Sequence, residues 1–224
     1  MGTLSVVATP IGNLEDITLR ALRTLKGCDV IYAEDTRVIS KLLARYEIKK
    51  PLQRLDAVTE TKKADEVVKR LEAGEHVVLV SDAGTPGISD PGTRLVAAVR
   101  ERLLAATIEA IPGASALTAA LSIAGLDTAE FTFLGFLPHK KGRQTLFKEI
   151  ANASRAIVFY ESPHRIEKAL ATLALLAPNK QVAVCRELTK MHESVVRGTA
   201  AEVSAHFAAH STQVRGEFVV IVAP

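Results

Sequence analysis

The chain has no tryptophan, two cysteines in 224 residues, and only 4% aromatic side chains. Cys28 and Cys185 lie far apart and form neither a redox pair nor part of a metal-ligand spacing. They read as two inert thiols of a cytoplasmic protein. The six histidines are scattered, and no His, Cys or carboxylate pair has ligand spacing, so no metal is expected. No apolar run approaches the roughly 20 residues that a bilayer span requires, and the chain opens directly on a strand-like segment. A soluble, cytoplasmic protein with no membrane partner is expected. Also missing are G-x-G-x-x-G after the first strand, G-x-x-x-x-G-K-[ST] and G-x-S-x-G. Their absence removes the usual dinucleotide, triphosphate and nucleophile-elbow fingerprints.

What is present suits one large or two small globular domains. Hydrophobic residues make up 48% of the chain, enough for a sizeable core. The net charge of +3 is unevenly spread, because residues 1–112 are balanced and the excess falls in 113–224. That permits an anionic partner without demanding one. The local cluster His139-Lys140-Lys141-Gly142-Arg143 is more suggestive than the total.

Periodicity divides the chain in the same place. Strand-like runs at Leu4–Thr9, Asp29–Ala33, His76–Val80 and Thr107–Ile111 carry consecutive apolar, often β-branched residues, the pattern of strands buried on both faces. Between them lie helical patterns over Thr18–Lys26, Ser40–Tyr46, Lys62–Ala73 and Thr93–Arg100, with a short extended segment near Leu52–Leu55. Asp16 is the expected cap of the first helix, which turns Leu19, Leu22 and Leu25 inward. Gly74 stops the third. Alternating strand and helix at crossover spacing predicts a mostly parallel sheet. After Pro112-Gly113-Ala114-Ser115-Ala116, which opens a small-residue helix through Ala124, the pattern changes. Strands at Phe131–Phe136, Ala156–Tyr160, Gln181–Cys185, His192–Val196 and Phe218–Val222 join helices over Arg143–Ala151, Ile166–Leu176 and Ala200–Ala209. Some follow one another without a helix, which predicts a mixed sheet. The expected domains are 1–112 and 113–224, both α/β.

Three strands of the first half end in polar or Gly/Pro-rich loops: Pro10–Asn13, Glu34–Arg37 and Ser81–Pro91. In a parallel sheet these share one edge, outside the carboxyl ends of the strands, where open α/β sheets bind ligands. The longest, Ser81-Asp82-Ala83-Gly84-Thr85-Pro86-Gly87-Ile88-Ser89-Asp90-Pro91, combines close backbone approach at glycine, a path fixed by proline and an acceptor at Asp82. Residue chemistry alone therefore gives a loop-built ligand site. It does not name the ligand.

A set of seven ordered segments does. Ala8-Thr9-Pro10-Ile11-Gly12-Asn13-Leu14, Ala33-Glu34-Asp35-Thr36-Arg37, Ser81-Asp82-Ala83-Gly84-Thr85-Pro86-Gly87, Pro112-Gly113-Ala114-Ser115-Ala116, Gly135-Phe136-Leu137-Pro138, Tyr160-Glu161-Ser162-Pro163-His164-Arg165 and Arg186-Glu187-Leu188-Thr189-Lys190 run from end to end of the chain. Together they resemble the ribosomal RNA small-subunit methyltransferase I family of the tetrapyrrole methylase superfamily. The resemblance implies a two-domain class III methyltransferase fold with the cofactor, S-adenosylmethionine, in the interdomain cleft. It implies a homodimer and 2′-O-methylation of a cytidine ribose in small-subunit (16S) ribosomal RNA. The partner would be that RNA or the 30S particle. Carried over motif by motif, the cofactor-binding residues are Pro10, Ser81, Asp82, Gly84, Thr85, Ser115 and Ala116. Tyr160, Glu187, Gly216 and Glu217 are further candidates.

Attack of a ribose hydroxyl on an activated methyl group needs positioning, able to supply up to roughly 7–11 kcal/mol, and a proton acceptor. Asp35 is the first candidate for the base because its loop should face the same edge as Asp82, and Glu34 is its rival. A purely structural pairing of either acid with Arg37 stays open. Arg37, Lys140, Lys141, Arg143 and Arg165 are the candidate phosphate contacts. Aromatics near suitable loops are limited to Phe136 and Tyr160. Recognition of an assembled particle by shape is therefore expected over reading of a free strand. Two other functions remain compatible with the loops: a methylase of a small tetrapyrrole precursor, which the basic loop disfavours, and a non-enzymatic nucleoside sensor, which the acid-bearing loops disfavour.

Overall fold

The computed structural model describes residues 1–224 as two compact units, Met1–Ser115 and Ala116–Pro224. Unit one alternates β1 (Thr3–Val7), α1 (Leu19–Gly27), β2 (Val30–Ala33), α2 (Thr36–Arg45), β3 (Leu52–Arg54), α3 (Glu60–Glu72), β4 (His76–Val80), α4 (Thr93–Arg102) and β5 (Thr107–Ile111). Its five strands are all parallel, in the order β3-β2-β4-β1-β5. Strand alternation divides their side chains between two cores. Val30, Tyr32, Val77 and Leu79 pack with Val67, Leu71, Leu95 and Val99 from α3 and α4. Ile31, Ala33, Val78 and Val80 face the other way, onto Ala21, Leu25, Ile39, Leu42 and Leu43 from α1 and α2. Each fully buried aliphatic side chain contributes on the order of 1.5–3 kcal/mol, so both faces of the sheet are held.

Unit two runs α5 (Ala116–Ala124), β6 (Phe131–Phe136), α6 (Arg143–Ala151), β7 (Ala156–Glu161), α7 (Ile166–Leu176), β8 (Gln181–Arg186), β9 (Ser194–Thr199), α8 (Ala200–Ala209) and β10 (Phe218–Val222). The strand order is β6-β7-β10-β8-β9, with only β6 and β7 parallel, so the sheet is mixed as its pattern predicts. One face is filled by Phe159, Val184, Phe218 and Val220 against Phe147, Leu170, Leu173 and Phe207. Against the other lies α5, whose Ala120 carbonyl accepts from the Cys185 thiol at 3.8 Å. Burial pushes both thiols up to about 11, which keeps them protonated and unreactive.

The first two helices depart from the sequence reading for one physical reason: which oxygen reaches the exposed N–H groups of the first turn. Thr18, not Asp16, caps α1, its hydroxyl accepting from the Ala21 N–H at 3.0 Å, while Asp16 ends a separate 3₁₀ turn at Leu14–Asp16. The inward face of α1 is Ala21 and Leu25 with Leu22 packed against the same core, and of the expected leucines only Leu19, 80% exposed, lies off it. Helix α2 begins at Thr36 rather than Ser40, because Asp35 caps it through the Arg37 N–H at 2.8 Å. No helix of the chain is long and apolar enough to cross a membrane.

Candidate active site

Because unit one is wholly parallel, the loops after β1, β2, β4 and β5 emerge at a single edge. The backbones of Thr9 and Gly84 exchange two hydrogen bonds there, at 2.9 and 3.0 Å, and the Thr9 hydroxyl donates to the Ser81 carbonyl at 3.2 Å. A Cβ added to Gly84 would lie 3.5 Å from the Ile11 side chain and 3.7 Å from the Ala114 carbonyl oxygen. Three of the loops therefore converge on a residue without a side chain. Pro10 and Ser81 are buried, and Asp82, Thr85 and Ser115 lie half-buried or deeper along the same edge. The fourth loop joins through the Asp35 N–H, which donates to Asp82 Oδ1 at 2.8 Å. The structure thus brings together the first-unit residues that sequence nominated.

It also separates the two candidate bases. Asp35 caps α2 and accepts from Arg37 Nε at 3.0 and 3.1 Å, and those bonds hold its carboxyl down at about 2. Glu34, its neighbour, moves the opposite way. Burial raises its pKa first, and the charges of Asp82, Asp90 and Asp56 raise it further against the weaker opposition of Arg54. Asp90 is raised as well, by burial and then by Asp82, with a Ser81 hydrogen bond opposing. One sheet edge therefore crowds three carboxylates, those of Glu34, Asp82 and Asp90.

Glu60, unnoticed in the sequence, fixes the far end of the long loop. It is 4% exposed, and its Oε1 accepts from the N–H groups of Gly92, Arg94 and Leu95 at 2.9, 2.9 and 3.1 Å. Gly92, at the cap position of α4, has no side chain to do this. A carboxylate from α3 thereby satisfies the first-turn donors of α4 and meets the positive end of its dipole. A contact between residues more than thirty positions apart leaves no local signal. Asp90 was visible within the loop but carried no distinguishing spacing.

In unit two the nominated residues also gather at one end of a sheet, where β7 and β8 finish and β10 begins. Tyr160 makes edge contacts with Phe133 and Phe136, with ring centroids 4.9 and 5.3 Å away. The Glu187 carboxylate accepts from Lys190 Nζ at 2.9 Å and from the Glu217 N–H at 3.1 Å. Burial would raise its pKa, but Lys190 and the Glu217 amide outweigh burial and hold it below the usual range. Gly216 makes this possible: at φ +82°, a Cβ there would sit 2.0 Å from Glu187 Oε1. Ala116 is half-buried at the start of α5.

Two of the five nominated phosphate contacts turn out to be internal. Arg143 is 9% exposed, and its Nη2 donates to Glu161 Oε2 at 2.7 Å. The Arg165 Nε lies 2.9 Å from Glu161 Oε1. Both guanidiniums neutralise a glutamate that is 1% exposed, Arg143 from a buried position and Arg165 with 18% of its side chain accessible, so their charge is taken up mainly inside the protein. Lys140, Lys141 and Arg37 are exposed, although Arg37 is paired with Asp35.

A family model described as Tetrapyrrole (Corrin/Porphyrin) Methylases matches residues 3–204. The "Ribosomal RNA small subunit methyltransferase I" of Neisseria meningitidis serogroup B is 46% identical over 226 residues, which cover 100% of this chain and 76% of that protein. The protein of the same name from Thermotoga maritima is 43% identical, covering 99% of this chain and 98% of the relative. This chain belongs to that family of tetrapyrrole methylases. Its fold is shared with the crystal structure of the methyltransferase CobJ, at TM-score 0.73 and 19% identity over 100% of this chain and 94% of that one. It is likewise shared with uroporphyrin-III C-methyltransferase from Thermus thermophilus complexed with S-adenyl homocysteine. There the TM-score is 0.64 and the identity 20%, over 99% of this chain and 97% of that one.

Proposed function

We propose that the protein transfers a methyl group from S-adenosylmethionine to the 2′-oxygen of a cytidine ribose in small-subunit ribosomal RNA. The observation that carries this reading is the end-to-end identity, 46% and 43%, to two proteins named as methyltransferases of that RNA. The first-unit edge has the chemistry such a cofactor needs. A cationic sulfonium and ammonium on a nucleoside ask for carboxylates and for backbone that can come close. Glu34, Asp82 and Asp90 supply the first, and the meeting of three loops at Gly84 supplies the second. In this reading Pro10, Ser81, Asp82, Gly84, Thr85 and Ser115 hold the cofactor, which when bound supplies a methyl group already activated on sulfur.

The residues of the chain then have two tasks. Orientation falls to the loops, whose ends are tied by the Thr9–Gly84 backbone pair and by Glu60. Proton removal falls to Glu34 rather than Asp35. A carboxylate whose pKa is raised by burial and like charges accepts a proton from a hydroxyl more readily than one held at about 2. Asp35 acts by capping α2 and by donating its N–H to Asp82.

The test is methyl transfer from labelled S-adenosylmethionine to purified small ribosomal subunits that lack this modification, with the modified nucleotide mapped. Label on a cytidine ribose is the expected result. Cofactor binding without transfer to subunits, but with transfer to a tetrapyrrole, would replace this substrate with a small-molecule one.

A further inference from the structure

The end of β6 and the loop after it form an exposed feature of unit two. Phe136 is 59% exposed, an unusual state for a phenylalanine in a chain with so few aromatics. Its ring is not loose. It rests edge-on against Tyr160 at 5.3 Å, and Tyr160 makes a second edge contact with Phe133 at 4.9 Å. After the buried Leu137 come Pro138, His139, Lys140 and Lys141, all exposed, so three basic side chains follow the ring. Lys140 is four residues on, which keeps its Cα within about 14 Å of that of Phe136.

The buried ion triad explains why this segment has one shape. Arg165 Nη1 donates to the Leu137 carbonyl at 3.0 Å, and Arg143 Nη1 donates to the Pro138 carbonyl at 3.3 Å. Both guanidiniums are in turn held by Glu161. The two arginines that the sequence offered as phosphate contacts thus tie down the start of the loop that carries two lysines.

Resting on the proposed RNA substrate, we infer that Phe136 is a stacking platform for one unpaired nucleotide of that RNA, with Lys140 and Lys141 on the flanking phosphates. An exposed ring held by aromatic contacts beside exposed positive charges is the arrangement by which proteins take a base without reading its sequence. The positive charge selects a polyanion over an apolar partner.

The experiment compares wild type with Phe136→Ala, Phe136→Tyr and the double variant Lys140→Gln/Lys141→Gln. Each is measured for subunit Kd over a salt series and for cofactor Kd. Phe136→Ala should weaken subunit binding roughly 5- to 150-fold, the range of one lost base stack, with Phe136→Tyr close to wild type. The lysine double variant should flatten the slope of log K against log salt by about 1.4, two phosphate contacts on a single strand. Cofactor Kd should not move in any of them. Subunit binding by Phe136→Ala within twofold of wild type overturns the platform while leaving the proposed substrate intact. A matching loss of cofactor affinity also overturns it, because Phe136 would then belong to the cofactor pocket. Wild-type protein that neither binds nor methylates subunits overturns the substrate, and the platform with it.

Discussion

Glu161 in unit two and the acids at the sheet edge of unit one are handled in opposite ways. In unit two Glu161 is fully buried and fully compensated: two guanidiniums and the Ser162 N–H satisfy both of its oxygens. At the sheet edge of unit one, Glu34, Asp82 and Asp90 stand near one another, and the dominant influences on Glu34 and Asp90 are burial and like charge. Compensated burial costs little and builds a rigid loop. Weakly compensated burial is unfavourable for the ionised fold. Glu60 falls with Glu161: buried, but met by three backbone donors.

Replacing members of each group sharpens this contrast. Glu34→Gln should lower the methyl-transfer rate by about 100- to 10,000-fold, the range for loss of a general base, read in single-turnover assays. Its stability should move in the other direction. A carboxyl whose folded pKa lies above its unfolded value favours the fold while protonated and penalises it once ionised. Wild type should therefore lose stability relative to Glu34→Gln as pH rises from the ordinary glutamate range through the raised value, measured by denaturant melts across pH. Glu161→Gln should behave as a structural lesion. Removing one partner of a buried ion pair costs about 3–5 kcal/mol, seen as a lower unfolding midpoint.

Smaller effects follow at the loop anchors. Glu60→Ala leaves three first-turn amides of α4 without their acceptor and should cost about 2 kcal/mol, while Glu60→Gln recovers part of it. The accompanying readout is cofactor affinity, which should fall in Glu60→Ala because the long loop loses its far tether. The smallest effect is at Asp35. Its depressed pKa means its contribution to stability is complete above about pH 4 and is lost as pH falls toward 2. Acid unfolding curves of wild type and Asp35→Ala should converge at the bottom of that window.

The sequence made the sheets legible because their strands are short apolar runs closed by turn residues. His76–Val80, Thr107–Ile111, Phe131–Phe136 and Phe218–Val222 match the observed bounds. Convergence of the loops followed from parallel topology alone. What stayed hidden depended on which of two adjacent polar groups makes a contact. Asp16 and Thr18 are both competent caps, and only geometry puts Thr18 at the Ala21 amide. Glu34 and Asp35 are adjacent acids, and only the start of α2 at Thr36 turns one into a cap. Arg143 and Arg165 look like surface cations until Glu161, 18 residues from the first of them, is placed between them.

The most direct test of the account is the pH dependence of single-turnover methyl transfer to small subunits by wild type, Glu34→Gln and Asp35→Asn. The account predicts a wild-type rate that rises with pH through the elevated Glu34 pKa. It predicts loss of that limb and at least about 100-fold of rate in Glu34→Gln, and a loss below tenfold in Asp35→Asn. The reverse order, with Asp35→Asn inactive and Glu34→Gln near wild type, would contradict it.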